Sequence, residues 1–228
     1  MLESKTHLSD EFSFIDEEFY LPKAAPRRMD ALWADGWRHF GTQFYRYNLS
    51  FYEGRICCVF PLRIRLADFS CSKNKRRIIR KNQDLQIVIR PIEITEEKEI
   101  LFRRHKRRFT RAVPFSLYDF LSFSPANLPC EALEVCVYER GKMLAASFFD
   151  VGETALSSIY AMFEPQETSR SLGIFTMLVE IDFAVKHSKT FYYQGYAYDG
   201  NSFYDYKKRF RALEKFDWKG NWESFDGN

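Results

Sequence analysis

The stretch between residues 133 and 196 leaves few folds open to this chain. Residues 133–139, 143–150 and 155–163 each read as a strand, with Gly141 and Gly152 in the short gaps between them. Gaps that short return the chain antiparallel, so the three strands form a meander. A polar loop over 164–170 leads into a helix over 171–187, where Ile174, Met177, Leu178, Ile181, Ala184 and Val185 recur at helical spacing. Residues 190–196 make one further strand. The third strand of the meander thus runs toward a helix N-terminus, whose exposed amides can hold a phosphate or a polar ligand edge.

Upstream, residues 1–19 are acidic, lack periodicity and read as a loose arm. Pro26 starts a short helix through Met29, Leu32 and Trp33 that Gly36 stops. Strands follow over 44–50 and 59–66. Ser72 caps a helix, Lys73–Lys81, with Asn82 at its end. After a strand over 85–89, Thr95 caps another helix. Its first turn holds Glu96, Glu97 and Glu99 and its end is arginine-rich, the orientation the helix dipole favours. The class is α/β (α+β): a smaller N-terminal α/β unit over 20–90, then a mixed sheet with helices across it over 91–228.

The 228 residues, 46% apolar and 18% aromatic, are ample for a buried core and do not describe a disordered tail. No apolar run spans a bilayer, and the polar residues 1–10 carry no secretory signal. Five cysteines, an odd number at irregular spacings, fit reduced thiols in the cytoplasm. Net charge is only +3, yet between Lys73 and Arg111 fourteen Lys and Arg stand against five Asp and Glu. Segregation of that kind suits phosphate binding. Helix Lys73–Lys81 holds no acid, and its like charges at Lys73/Arg77 and Arg76/Arg80 repel, so an external anion is needed to offset them.

Motifs in a fixed order are more specific than any of these features. Gly36-Trp37-Arg38, then Phe69 with Ser72 and the basic run to Lys81, begin the series. Tyr160-Ala161-Met162-Phe163-Glu164-Pro165, Ser171-Leu172-Gly173 and Tyr192-Tyr193-Gln194-Gly195-Tyr196 continue it, and Tyr206-Lys207-Lys208-Arg209-Phe210 ends it. Over most of residues 20–215 this order resembles the arginyl- and leucyl-tRNA–protein transferases, which have an acetyltransferase-like (GNAT-like) fold. The resemblance implies an acyltransferase that moves arginine or leucine from charged tRNA to a protein N-terminus, Asp or Glu in the resembled enzymes, marking the protein for degradation. The implied partners are charged tRNA and a protein or peptide N-terminus, with no membrane. The donated amino acid and the oligomeric state are left open.

Departures from the family pattern bear on cofactors. Glu164 replaces an aspartate and Gln194 an apolar residue. Glu18 stands where a cysteine precedes the motif Tyr20-Leu21-Pro22, and no Cys-x-x-Cys exists. Cys57-Cys58 resembles the family's adjacent pair, but two thiols are too few for the relatives' iron–sulfur cluster, so no cofactor or metal is expected.

An aminoacyl ester is already activated. The enzyme has to hold ester and amine together, keep the amine neutral and stabilise the developing oxyanion. No triad-like arrangement is visible, and His39, His105 and His187 read as structural or surface residues. Tyr160, Glu164 and Gln194 are candidates to polarise the ester or relay protons, with a core role as the alternative for the tyrosine. Ser171, Leu172 and Gly173 would offer amides to the terminal adenosine or its phosphate. Lys73, Arg76, Arg77, Arg80 and Lys81 would bind the tRNA backbone, and Arg170, Tyr206 and Lys207 would read the acidic acceptor. The cluster from Arg103 to Arg111 could serve either substrate. Two other functions stay open: a GNAT-type N-acetyltransferase using acetyl-CoA, and a non-catalytic relative that binds tRNA or protein.

Overall fold

The computed structural model describes residues 13–110 and 113–226, so residues 1–12 of the expected arm, and Arg111, lie outside it. The rest of that arm is ordered: β1 (Asp16–Tyr20) precedes α1 (Pro26–Ala34), β2 (Arg38–Phe40) and β3 (Gln43–Tyr47), and β1 and β2 flank β3 antiparallel. Met29, Leu32 and Trp33, spaced to share one helical face, pack with Phe44 and Tyr193 in a small core of their own. A hairpin of β4 (Leu49–Tyr52) and β5 (Arg55–Arg65) then carries the chain into the main sheet.

Two capped helices and a strand follow. They are α2 (Lys73–Lys81), β6 (Gln86–Pro91) and α3 (Glu96–Lys106). As the sequence predicts, Ser72 Oγ accepts from the Lys75 amide and Thr95 Oγ1 from the Lys98 amide. The meander is β7 (Ala132–Glu139), β8 (Lys142–Val151) and β9 (Ala155–Phe163), followed by α4 (Leu172–Lys186) and β10 (Phe191–Tyr198). The aromatic tail, left unassigned by periodicity, folds into a 3₁₀ helix, Phe203–Arg209, and a hairpin of β11 (Leu213–Phe216) and β12 (Trp222–Ser224).

The main sheet runs β12-β11-β5-β10-β9-β8-β7-β6, with β4 paired to β5. Its one parallel pair is β9 with β10. This is the mixed sheet with helices across it, the acetyltransferase-like fold that the motif order implies. Residue 90 is no break in it. β6 pairs with β7, and β5 sits between β10 and β11, so α1 with β1–β3 is what stands beside the sheet as a smaller unit. The reason is burial: Val59, Leu62 and Ile64 of β5 are 0–1% exposed, which requires cover on both faces of the strand.

Neighbours on β8 divide the two cores. Phe149 faces α4 with Leu156, Leu178, Ile181 and Tyr192, whereas Phe148 faces α3 with Leu101, Phe102 and Met162. Each of these large side chains contributes about 1.5–3 kcal/mol by burial. The two helices are thereby pinned to opposite faces of the sheet, with the ends of β9 and β10 between them.

Candidate active site

The parallel pairing of β9 with β10 lasts for three residue pairs, ending at Tyr193↔Ser157. The register of β10 against β5 then slips between Tyr193 and Gly195, with Gly195 at φ +87°. That conformation favours glycine. Beyond the slip β10 continues along β5, and the facing edge of β9 from Ser158 onward is left without a β10 partner. The split between these two strand ends is the candidate cleft.

Two cations close its base. The buried Arg38 of β2 donates to Ser157 Oγ and to the Ser158 carbonyl. Lys207, entering from the 3₁₀ helix, donates to the Tyr196 carbonyl at 3.1 Å and lies 5.0 Å from the Tyr204 ring centre. Both converge on Gly195: a Cβ there would lie 3.3 Å from Lys207 Nζ and 3.6 Å from the Arg38 guanidinium. The Lys207 stem is partly exposed but its ammonium is enclosed. Burial first, and the charge of Arg38 second, pull it down to about 7. Among the described residues neither cation has an acid within ion-pair distance.

Gln194, at the bulge, is 3% exposed, and both ends of its amide lack a hydrogen-bond partner. Leaving such groups unpaired costs about 1–3 kcal/mol each. The Tyr160 hydroxyl is likewise buried without a partner, its ring stacked on Phe120 at 4.0 Å, and burial raises its pKa. Glu164 differs from both. It is held by Arg104 at 2.9 Å, clasping the end of β9 to α3, so it is committed to an ion pair and not free for proton transfer.

The start of α4 has its own logic. Ser171 takes a left-handed conformation (φ +54°), and its side chain makes no capping bond, which leaves the first-turn amides for another acceptor. Leu172 is in the core at 1% exposure. Gly173 is required by packing: a Cβ would fall 2.9 Å from the Phe163 ring. Arg170 is spent on Asp84, Glu139 and Glu167, and it holds the Asp84 carboxyl below its usual range. It anchors this turn and is not available to an acceptor. Tyr206 forms part of the core wall, pushed up to about 12 by burial.

The basic helix adjoins this point. Asn82, closing α2, donates to the Arg170 carbonyl at 2.9 Å, which fastens α2 beside the α4 N-terminus. Lys75 turns inward over the Phe210 ring at 4.0 Å, and burial, then Arg209, lowers it to about 8. Lys73, Arg76, Arg77, Arg80 and Lys81 stay exposed, and no ion pair is found for any of them among the described residues.

The sequence motifs contained Arg38 without indicating its part in the cleft. They gave no sign of Ser157, Ser158 or Glu180. Glu180 lies fully buried in α4, where it accepts from Ser147 Oγ and from the Tyr192 hydroxyl at 2.6 Å; burial raises its carboxyl to about 7. Its place on the apolar face, at helical spacing from Met177 and Ala184, is the signal that would have found it. The histidines are structural where buried: His39 bonds Asp150 at 2.8 Å, and His105 accepts from the Phe163 amide and is lowered to about 4 by burial. A groove of about 830 Å³ lies elsewhere between residues 23–26 and 126–133. Its thiol, Cys130, donates a hydrogen bond to Asp150 and is held protonated by burial.

Comparison with known proteins identifies the family. The family model for the arginine-tRNA-protein transferase C terminus matches residues 96–217. The aspartate/glutamate leucyltransferase of Xanthomonas euvesicatoria pv. vesicatoria (strain 85-10) is 32% identical over 174 residues, covering 72% of this chain and 69% of the relative. The enzyme of that name from Pseudoalteromonas atlantica (strain T6c / ATCC BAA-1087) is 29% identical over 193 residues, covering 82% and 80%. Among solved structures, a putative GNAT-family acetyltransferase from Novosphingobium aromaticivorans is similar with a TM-score of 0.42 at 10% identity, covering 91% of this chain and 74% of that one. The chain belongs to the arginyl- and leucyl-tRNA–protein transferase family and is an aminoacyltransferase.

Proposed function

We propose that this enzyme moves leucine from leucyl-tRNA to the N-terminal amine of proteins that begin with Asp or Glu, in the cytoplasm, marking them for degradation. The observation that carries the acceptor assignment is the pair of enclosed cations, Arg38 and Lys207, meeting at Gly195 without an acid. Two desolvated like charges are costly unless an anion joins them, and the carboxylate of the acceptor is that anion. The same cations repel a guanidinium. Glu164 is already paired, and Glu180 is enclosed by hydroxyl donors, so neither is free to receive arginine. Aromatic walls formed by Tyr45, Tyr47 and Tyr196 suit leucine.

The exposed cations of α2 hold tRNA phosphates, and the α4 amides at Leu172 and Gly173 receive the terminal adenosine or its phosphate. The neutral amine attacks the ester carbonyl, the ester bond to the ribose oxygen breaks, and the proton lost by nitrogen goes to that oxygen. Gln194, with both amide ends free, donates to the oxyanion, and the Tyr160 hydroxyl, likewise buried without a partner, is the second candidate donor. No cluster takes part. Cys57 and Cys58, adjacent on β5, point to opposite faces, one buried and one exposed, which does not suit joint ligation. The test is incubation with labelled leucyl- and arginyl-tRNA and peptides beginning with Asp, Glu or Ala. Leucine appearing on the Asp and Glu peptides alone is expected. Faster arginine transfer, or equal transfer to the Ala peptide, would reverse the assignment.

A further inference from the structure

We infer that Phe203, backed by Arg108, is the platform on which an unpaired base at the 3′ end of the tRNA stacks, an inference that rests on the transfer reaction proposed above. Phe203 opens the 3₁₀ helix and is 53% exposed. The Arg108 guanidinium lies 5.8 Å from its ring centre and 4.5 Å from that of Phe163, while Phe109 and Tyr206 meet it edge-on at 6.4 and 6.5 Å. The ring is thus held by its neighbours while about half of it faces solvent. Among the described residues Arg108 has no ion pair, so its charge is free to meet a phosphate.

Position ties this ring to both proposed binding regions. Phe163 packs on Gly173 at the start of α4, which puts Arg108 and Phe203 at the rim of the cleft. The 3₁₀ helix of seven residues advances about 14 Å, to Phe210, over which Lys75 of α2 sits. A tRNA whose duplex phosphates lie on α2 therefore crosses this rim before its end reaches Gln194 and Lys207. A ring with a cation against it is the pairing that holds single-stranded nucleotides without reading their sequence, because every base has a π-face.

Two RNA hairpins carrying no amino acid, one with a single-stranded 3′ overhang ending in adenosine and one blunt, separate this role from general phosphate binding. Fluorescence anisotropy with the full chain should show tighter binding of the overhang hairpin. Phe203→Ala should weaken that hairpin about 5- to 150-fold and leave the blunt one unchanged. Phe203→Trp, which keeps a π-face, should retain overhang binding. Equal loss on both hairpins, no loss on either, or a wild-type protein indifferent to the overhang each overturns the platform. If wild-type protein still transfers leucine in the peptide assay in any of those cases, this inference alone fails and the reaction stands.

Discussion

Gly195 has no side chain, and that is what lets two cations share one place. At φ +87° any other residue would be strained, and its Cβ would press on Lys207 Nζ at 3.3 Å. The acceptor-reading role proposed for Lys207 follows from this crowding. Lys207→Met should lower kcat/KM for Asp- and Glu-starting peptides at least about tenfold, a loss of about 1.4 kcal/mol, while charged tRNA binds normally. Weakened tRNA binding with unchanged acceptor preference would move the residue to the tRNA site. The pH dependence has a definite sign. With the ammonium at about 7, the charged form is present at lower pH and lost as pH rises through that value. KM for an acidic peptide should therefore climb above neutrality in the wild type and stay flat in Lys207→Met. Lys207 is legible in the sequence because it sits in a motif. Arg38 is less so: its partner Ser157 is 119 positions away, and no local window connects them.

Helices α2 and α4 are each built around a charge that cannot be read the same way. The α2 pattern is plain, since a run without acids has no internal offset for its repulsion. Replacing Arg76, Arg77 and Arg80 by Ala should weaken all tRNAs alike and reduce the log–log salt slope by about 0.9 for each duplex phosphate no longer neutralised. Unchanged binding by the triple variant would remove α2 from the tRNA site. In α4 the charge is hidden. Glu180 is raised from 4.5 to about 7 by burial, against hydrogen bonds from Ser147 and Tyr192 that pull the other way. A carboxyl raised on folding adds stability that is full below its unfolded pKa and lost as pH rises through its folded one. Between pH 5 and pH 8 the wild type should lose up to about 3 kcal/mol relative to Glu180→Gln, measured from urea midpoints. A difference that does not change with pH would mean the carboxyl stays ionised throughout.

On the scale of the whole molecule, the thiols are dispersed. Cys57 and Cys58 point to opposite faces of β5, and Cys130 and Cys136 are buried against Asp150 and Glu134, with Cys136 pushed up to about 11. Protein isolated without air should lack stoichiometric iron and sulfide, and the double variant Cys57→Ser, Cys58→Ser should transfer leucine at the wild-type rate. Charge-transfer absorption with matching iron and sulfide would contradict this. Strands, caps and the order of motifs are legible in the residues themselves, because periodicity and capping depend on positions a few apart. Those features sufficed for the meander, for helices α1 to α4 and for the family. The sequence alone did not reveal that β5 and β6 join the main sheet, that Arg170 and Glu164 are consumed by ion pairs, or that Arg38 and Lys207 meet at the split between β9 and β10. Each of those depends on which distant residue fills the space beside a side chain, and packing decides that only when the whole chain has folded.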